Sequence, residues 1–517
     1  MDRRRYLALL GAAASVAGCS GGGDETTTED ETETTDPTIE MGTDTDTPTE
    51  TATDPPPTTD EPTETATATE TETETPEEPA EEVRLRFAAA PVESDQMDAI
   101  NEALHAAGLA ENVTLRHRET GTVGLRGQAR EWMTSASSVP DLIVTDAGWT
   151  RSLLRDDLGV RLEQQAEFPE AARNRVREGF SATVDTVTND GGALMAVPLH
   201  VSAPTVAYRT DLFEQGGYPR DSSRATSPMT WQAFADAVND VQNQTGVSLG
   251  FGFGAERYDG LACCLFNEVL TSWGGAYFGR PDRLLERYGG RPVTAGNEPA
   301  RNAMAMLRTF MYDDDRQALN DYASDISSPE VLDWQDDEPV ARMVNGNAAS
   351  IRARTEDLAT LAGSSVGSSV RAMPLPYAVT ESEADQQGAG GTSPSMGGWN
   401  VIVNPRSRNV SAAARAAAAM TTDDFRLAML EQANFVPPRA SLFSTSRARN
   451  STMGPFLSAV QFAAESAIPR PSNRRWYERM SDVVEREVHD CLAQEQNPGE
   501  AAQGIESRLR RFEGSGT

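Results

Sequence analysis

There is no lysine in this chain: all 45 of its Lys and Arg positions are arginine. A phosphate-cradling glycine loop that ends in lysine is therefore excluded. Cysteine is scarce, with four residues in 517 (Cys19, Cys263, Cys264 and Cys491). No CxxC pair and no Cys/His cluster is present, which excludes an ordinary zinc site. Neither a Gly-x-Ser-x-Gly elbow nor an HExxH helix occurs. A basic face is missing too: the net charge is −34, which argues against nucleic acid as a partner. Nothing in the sequence asks for a cofactor. For Cys263 or Cys264 with Cys491, a disulfide and buried free thiols both remain open.

Long apolar runs are also absent. The run from Tyr6 to Val16 is far shorter than the roughly 20 residues of a membrane span. It follows Arg3-Arg4-Arg5, and small residues follow it, which is the layout of an export signal of twin-arginine type. Val16-Ala17-Gly18-Cys19 resembles a lipobox, with Cys19 as the lipid-attachment residue. Residues 1–23 are thus expected to be a signal. Between Asp24 and Glu82 stand 22 acidic residues and no basic one. Such a threonine-rich segment has too little to bury to repay its ordering entropy, so residues 24–82 are expected to be a disordered tether. Its upper reach is about 190 Å. A tethered domain on the extracellular face of the cell membrane is the expectation.

From Val83 on, the pattern changes. Val83-Arg-Leu-Arg-Phe alternates as a strand, Ser94 to Ala107 is helical, and Val113 begins a second strand. A helix over Gly127 to Ser135 precedes the compact strand Pro140 to Asp146. This β-α-β-α-β rhythm predicts an α/β fold with mainly parallel sheets flanked by helices. Ligands of such sheets sit at the carboxyl ends of the strands, where Asp146 and Trp149 fall. Thr230 is placed to cap a helix opening at Trp231.

Several segments stand out in order along the chain: Pro140-Asp-Leu-Ile-Val-Thr-Asp-Ala-Gly-Trp, Val197-Pro-Leu, Tyr208-Arg-Thr-Asp-Leu-Phe with Thr230-Trp231, and Gly252 to Cys263. Val344-Asn-Gly-Asn-Ala-Ala, Gly397-Gly-Trp, Pro437-Pro-Arg and Ile468-Pro-Arg-Pro complete the set. Together they resemble the extracellular solute-binding proteins of family 1, the maltose- and trehalose-binding group serving ABC importers. The resemblance covers roughly Val83 to Leu509. It implies a type II periplasmic-binding-protein-like fold with two lobes and crossover strands between them. The first lobe is expected over 83–205 and 350–403, and the second over 206–349 and 404–517. Such proteins act as monomeric receptors that hand a solute to membrane permease subunits. The lysine-free acidic composition is similar to that of proteins from halophilic archaea, since high salt screens the repulsion.

Carried over by position, the resemblance implies these solute contacts: Glu93, Arg126, Asp146, Trp149, His200, Ser202, Tyr258, Arg354, Gly398, Trp399 and Arg470. Trp399 would stack on a sugar ring while carboxylates and guanidinium groups meet its hydroxyls. Three positions depart from the maltose and trehalose binders. His200 and Ser202 stand where those have tyrosine and aspartate, and Arg354 where they have tryptophan. Two readings follow: His200, Arg352 and Arg354 select an acidic solute, or the arginines pair with neighbouring carboxylates. A tethered surface hydrolase or polysaccharide-binding protein is the alternative to a transport receptor. No motif assigns catalysis.

Overall fold

The computed structural model describes residues 81–90, 92, 94–118, 120–121, 124–135 and 137–514. Cys19, the expected signal and nearly all of the expected tether lie outside the described residues, as does Glu93. Among the described residues no helix is long and apolar enough to cross a membrane.

Among the described residues nine strands form two sheets. They are β1 (Val83–Ala88), β2 (Val113–Arg118), β3 (Leu142–Asp146), β4 (Ala196–Ser202), β5 (Thr205–Arg209), β6 (Leu249–Gly252), β7 (Ala348–Ala353), β8 (Val370–Met373) and β9 (Gly397–Val403). The first sheet runs β2-β1-β3-β9-β4 and the second β6-β7-β5-β8. Two residues, Ala203 and Pro204, separate β4 in one sheet from β5 in the other. The chain returns between β8 and β9. This is the expected two-lobed α/β architecture with crossover segments.

The pairing is more mixed than the sequence rhythm predicts. β1 lies parallel to β2 and β3, but β9 is antiparallel to both β3 and β4. In the second sheet β6 and β7 are parallel, while β5 is antiparallel to β7 and β8. The β-α-β pattern was legible only where a helix intervenes between neighbouring strands. Strands that cross between sheets carry no such signature.

The expected boundary at residue 350 falls inside β7, and β7 and β8 both pair with β5 in the second sheet. Only Gly397–Val403 of the 350–403 segment joins the first sheet. Residues after 404 divide as well. The helix Val410–Ala419 packs on β9 and β1, and Asp423–Ala433 packs on the helix Met97–Ala106. Ser481–Leu492 and Pro498–Gly514 pack instead on Glu298–Met311. All six β7 residues are buried, Ser350 and Arg352 among them, so alternation of burial does not betray which sheet it joins.

Three helices position the carboxyl edge of the first sheet: α1 (Met97–Ala106), α2 (Leu125–Thr134) and α3 (Ala147–Leu154). In α1 the buried residues Met97, Ile100, Ala103 and Leu104 make one stripe at helical spacing. α3 starts directly after β3, and Asp146 caps it by accepting from the Gly148 amide at 2.8 Å. Thr230 caps the helix Trp231–Thr245 through the Ala233 amide, as its spacing predicts.

Candidate functional site

The register of three neighbouring strands gathers the first group of candidate residues. Asp146 at the end of β3 lies opposite Trp399 of β9, and Trp399 lies opposite His200 of β4. Gly398 is opposite Val201, with φ of +107°. A Cβ there would collide with the His200 carbonyl oxygen, so this close approach admits glycine alone. Trp399 is half-buried.

A second group ties α2, β3 and β4 of the first sheet to the C-terminal segments and to the helix Thr355–Ala362. Arg470 donates to the Asp146 carboxylate through Nη2 and to Cys264 Sγ through Nη1, the latter at 3.6 Å. Its Nε has no partner among the described residues. Arg126 on α2 donates to the Tyr477 carbonyl at 2.9 Å and lies over that ring, 4.8 Å from its centroid. Among the described residues the hydroxyl of buried Tyr477 is unpartnered, and it points toward Gly148 in the first turn of α3. Ser202 donates to the Glu356 carboxylate, joining β4 to the helix Thr355–Ala362.

The cations proposed to select an acidic solute are already engaged. Arg352 makes a buried fork to Glu268, with bonds of 2.6 and 2.8 Å, and a third to Asp336 at 3.0 Å. Arg354 forks onto Asp357 at 2.7 and 2.9 Å and reaches Asp337 at 2.9 Å. Buried His200 stacks on Phe435, with ring centroids 4.5 Å apart. Burial pushes its imidazole toward the neutral form, against the opposing pull of Glu356. Of the two readings of these residues, pairing with carboxylates is the one this geometry carries.

Tyr258 is half-buried, with Asp336 as a charged neighbour of its hydroxyl. Burial raises the pKa of that hydroxyl well above the ordinary range for tyrosine, so it stays a neutral donor. Trp149 is 8 % exposed and packs into the core, which leaves it little ring face for a solute. Its position after a strand-ending aspartate pointed to the cleft, but α3 turns it inward. Sequence reasoning missed Glu356, Asp336, Glu268, Cys264 and Tyr477. Each reaches the site through contacts more than a dozen residues away in the chain, and no local motif marks them.

These residues bring an indole face, a carboxylate, hydroxyls and a guanidinium group together where the two sheets meet. Such a set binds by hydrogen bonding and ring stacking. A curated relative, a probable ABC transporter-binding protein of Deinococcus radiodurans, is 25% identical over 347 residues, spanning 66% of this chain and 74% of that one. Maltose-bound MalE3 of T. maritima superposes with a TM-score of 0.65 at 19% identity, covering 83% of this chain and 99% of that one. The cyclic α-maltosyl-1,6-maltose binding protein from Arthrobacter globiformis gives a TM-score of 0.62 at 15% identity, over 84% and 100% of the two chains. The family profile described as bacterial extracellular solute-binding protein matches residues 102–451. The chain belongs to that family of extracellular solute-binding proteins.

Proposed function

We propose that this protein is the receptor of an ABC importer and captures a neutral carbohydrate between its two lobes. The observation that carries this reading is the strand register that sets Asp146, Trp399 and His200 side by side, opposite Arg470. An indole covers an apolar ring face, and the carboxylate and guanidinium groups exchange bonds with ring hydroxyls. A neutral solute is favoured over an acidic one because Arg352 and Arg354 are committed to carboxylates and His200 is held neutral. The names of the relatives, a maltose-bound protein among them, point to the same class. Asp146, Ser202, Tyr258, Gly398, Trp399, Arg126 and Arg470 are the contacts in this reading.

The same reading places the monomeric protein on the outer face of the cell membrane. Cys19 carries the lipid after twin-arginine export, and the acidic segment that follows gives the receptor its reach to the permease. The lysine-free surface suits strong salt.

The test is a melting series of the full chain in multimolar KCl against neutral sugars and sugar acids. A solute bound only by the folded state raises the midpoint. Stabilisation by a neutral mono- or oligosaccharide is the expected result. Stabilisation by sugar acids alone, or turnover of a polysaccharide, would replace this reading with the acidic-solute or hydrolase one.

A further inference from the structure

Cys263 and Cys264 occupy consecutive positions in the π-helical turn Leu261–Leu265. Their sulfurs are 2.9 Å apart, closer than two non-bonded sulfurs rest in van der Waals contact. The two thiols are not equivalent. Cys263 is buried, whereas Cys264 keeps partial access and accepts from Arg470 Nη1. Contact with Cys263, aided by the charges of Arg470 and Arg352, holds the Cys264 thiol below its ordinary pKa. The same contact, together with burial, pushes Cys263 up. A thiolate attacks more readily than a thiol, so the pair has a natural nucleophile and a natural resolving partner. Cys491 belongs to neither role: burial raises its thiol to about 11 and it is free.

We propose that Cys263 and Cys264 form a redox pair that takes small organic disulfides and closes to a vicinal disulfide. Cys264 thiolate attacks one sulfur of RS–SR, giving a mixed disulfide and releasing RS⁻. Cys263 then loses its proton and attacks Cys264 Sγ, expelling the second RS⁻. Two protein thiols are oxidised to one disulfide, and one RS–SR is reduced to two thiols. Consecutive α-carbons lie about 3.8 Å apart, shorter than the usual range of about 4.4–6.8 Å for bridged cysteines. The ring is therefore strained, readily reduced, and incompatible with an undisturbed π-turn. Oxidation also removes the sulfur partner of Arg470, which ties the redox state to the Asp146–Arg470 pair. π-turns of this kind recur at functional sites.

The experiment exposes the full-length protein to bis(2-hydroxyethyl) disulfide, alkylates the remaining thiols, and weighs the peptides. The expected peptide containing residues 263 and 264 is lighter by two hydrogens, carries no alkyl group, and regains both alkylation sites after dithiothreitol. Cys491 is alkylated throughout. The Cys263→Ser variant should trap hydroxyethyl disulfide on Cys264, at least about tenfold faster than Cys264→Ser takes it up on Cys263. The wild-type result decides the proposal without either variant. Unreacted cysteines, a lasting mixed disulfide on wild-type Cys264, a link to Cys491, or equal rates in the two variants would each overturn it.

Discussion

Asp146 and Arg470 lie 324 residues apart in the chain and form an ion pair where the two sheets meet. The same carboxylate caps α3 through the Gly148 amide. One side chain thus ends a strand, starts a helix and holds a segment from the far end of the sequence. Asp146→Asn keeps the shape but leaves the Arg470 guanidinium, itself mostly buried, without its counter-charge. The expected loss is about 1.5–3 kcal/mol, read from urea unfolding midpoints at unchanged slope. A stability equal to wild type would show that the pair contributes nothing net.

Gly398 sits at φ +107° with no room for a Cβ beside the His200 carbonyl. Gly398→Ala must adopt a strained backbone or displace β4. A loss of more than about 2 kcal/mol is expected, with the register of β4 on β9 disturbed. Normal melting of this variant would contradict the geometry.

Arg352 and Glu268 are both nearly fully buried, with side-chain exposures of 5% and 3%. Removing one partner strands the other in a dry site. Arg352→Met is expected to cost about 3–5 kcal/mol, and the double variant Arg352→Met/Glu268→Leu to recover much of it. The double-variant cycle measures the coupling. Additive losses would show that the two side chains act independently.

Glu485 is buried, one of its oxygens has no partner among the described residues, and burial raises its pKa to about 7, with Asp259 adding to the shift. A carboxyl whose folded pKa lies above its unfolded value binds more protons when folded. Its penalty is absent below about pH 4.5, grows between there and about pH 7, and is full above. Glu485→Gln should therefore stabilise the protein at pH 8 and leave it unchanged at pH 4. Partial solvent access limits the expected gain to about 1–2 kcal/mol. An equal effect at both pH values would remove titration as its cause.

Local chemistry was the legible part of this chain. The Thr230 cap, the stripe of α1 and the compact strand β3 each depend on residues within a few positions, and the sequence shows them. The sheet that β7 joins was not legible, because a strand buried on both faces looks the same in either partner. At the site, the strand-end position of Asp146 and the Gly398-Trp399 pair could be read. The fate of Arg352 could not, since Glu268 and Asp336 reach it from distant segments, whereas Arg354 forks onto Asp357 only three positions further on. Trp149 misled for the opposite reason: it is next to a site residue, but helical rotation turns it into the core.

The most direct test of a neutral-sugar cleft is a calorimetric titration of maltose and related neutral sugars into wild-type protein and into Trp399→Ala. The account predicts saturable one-site binding to wild type, weakened at least about tenfold when the indole is removed, in line with a stacking loss of more than 1.4 kcal/mol. Binding that survives the loss of Trp399 at full strength, or that appears only with sugar acids, would contradict it.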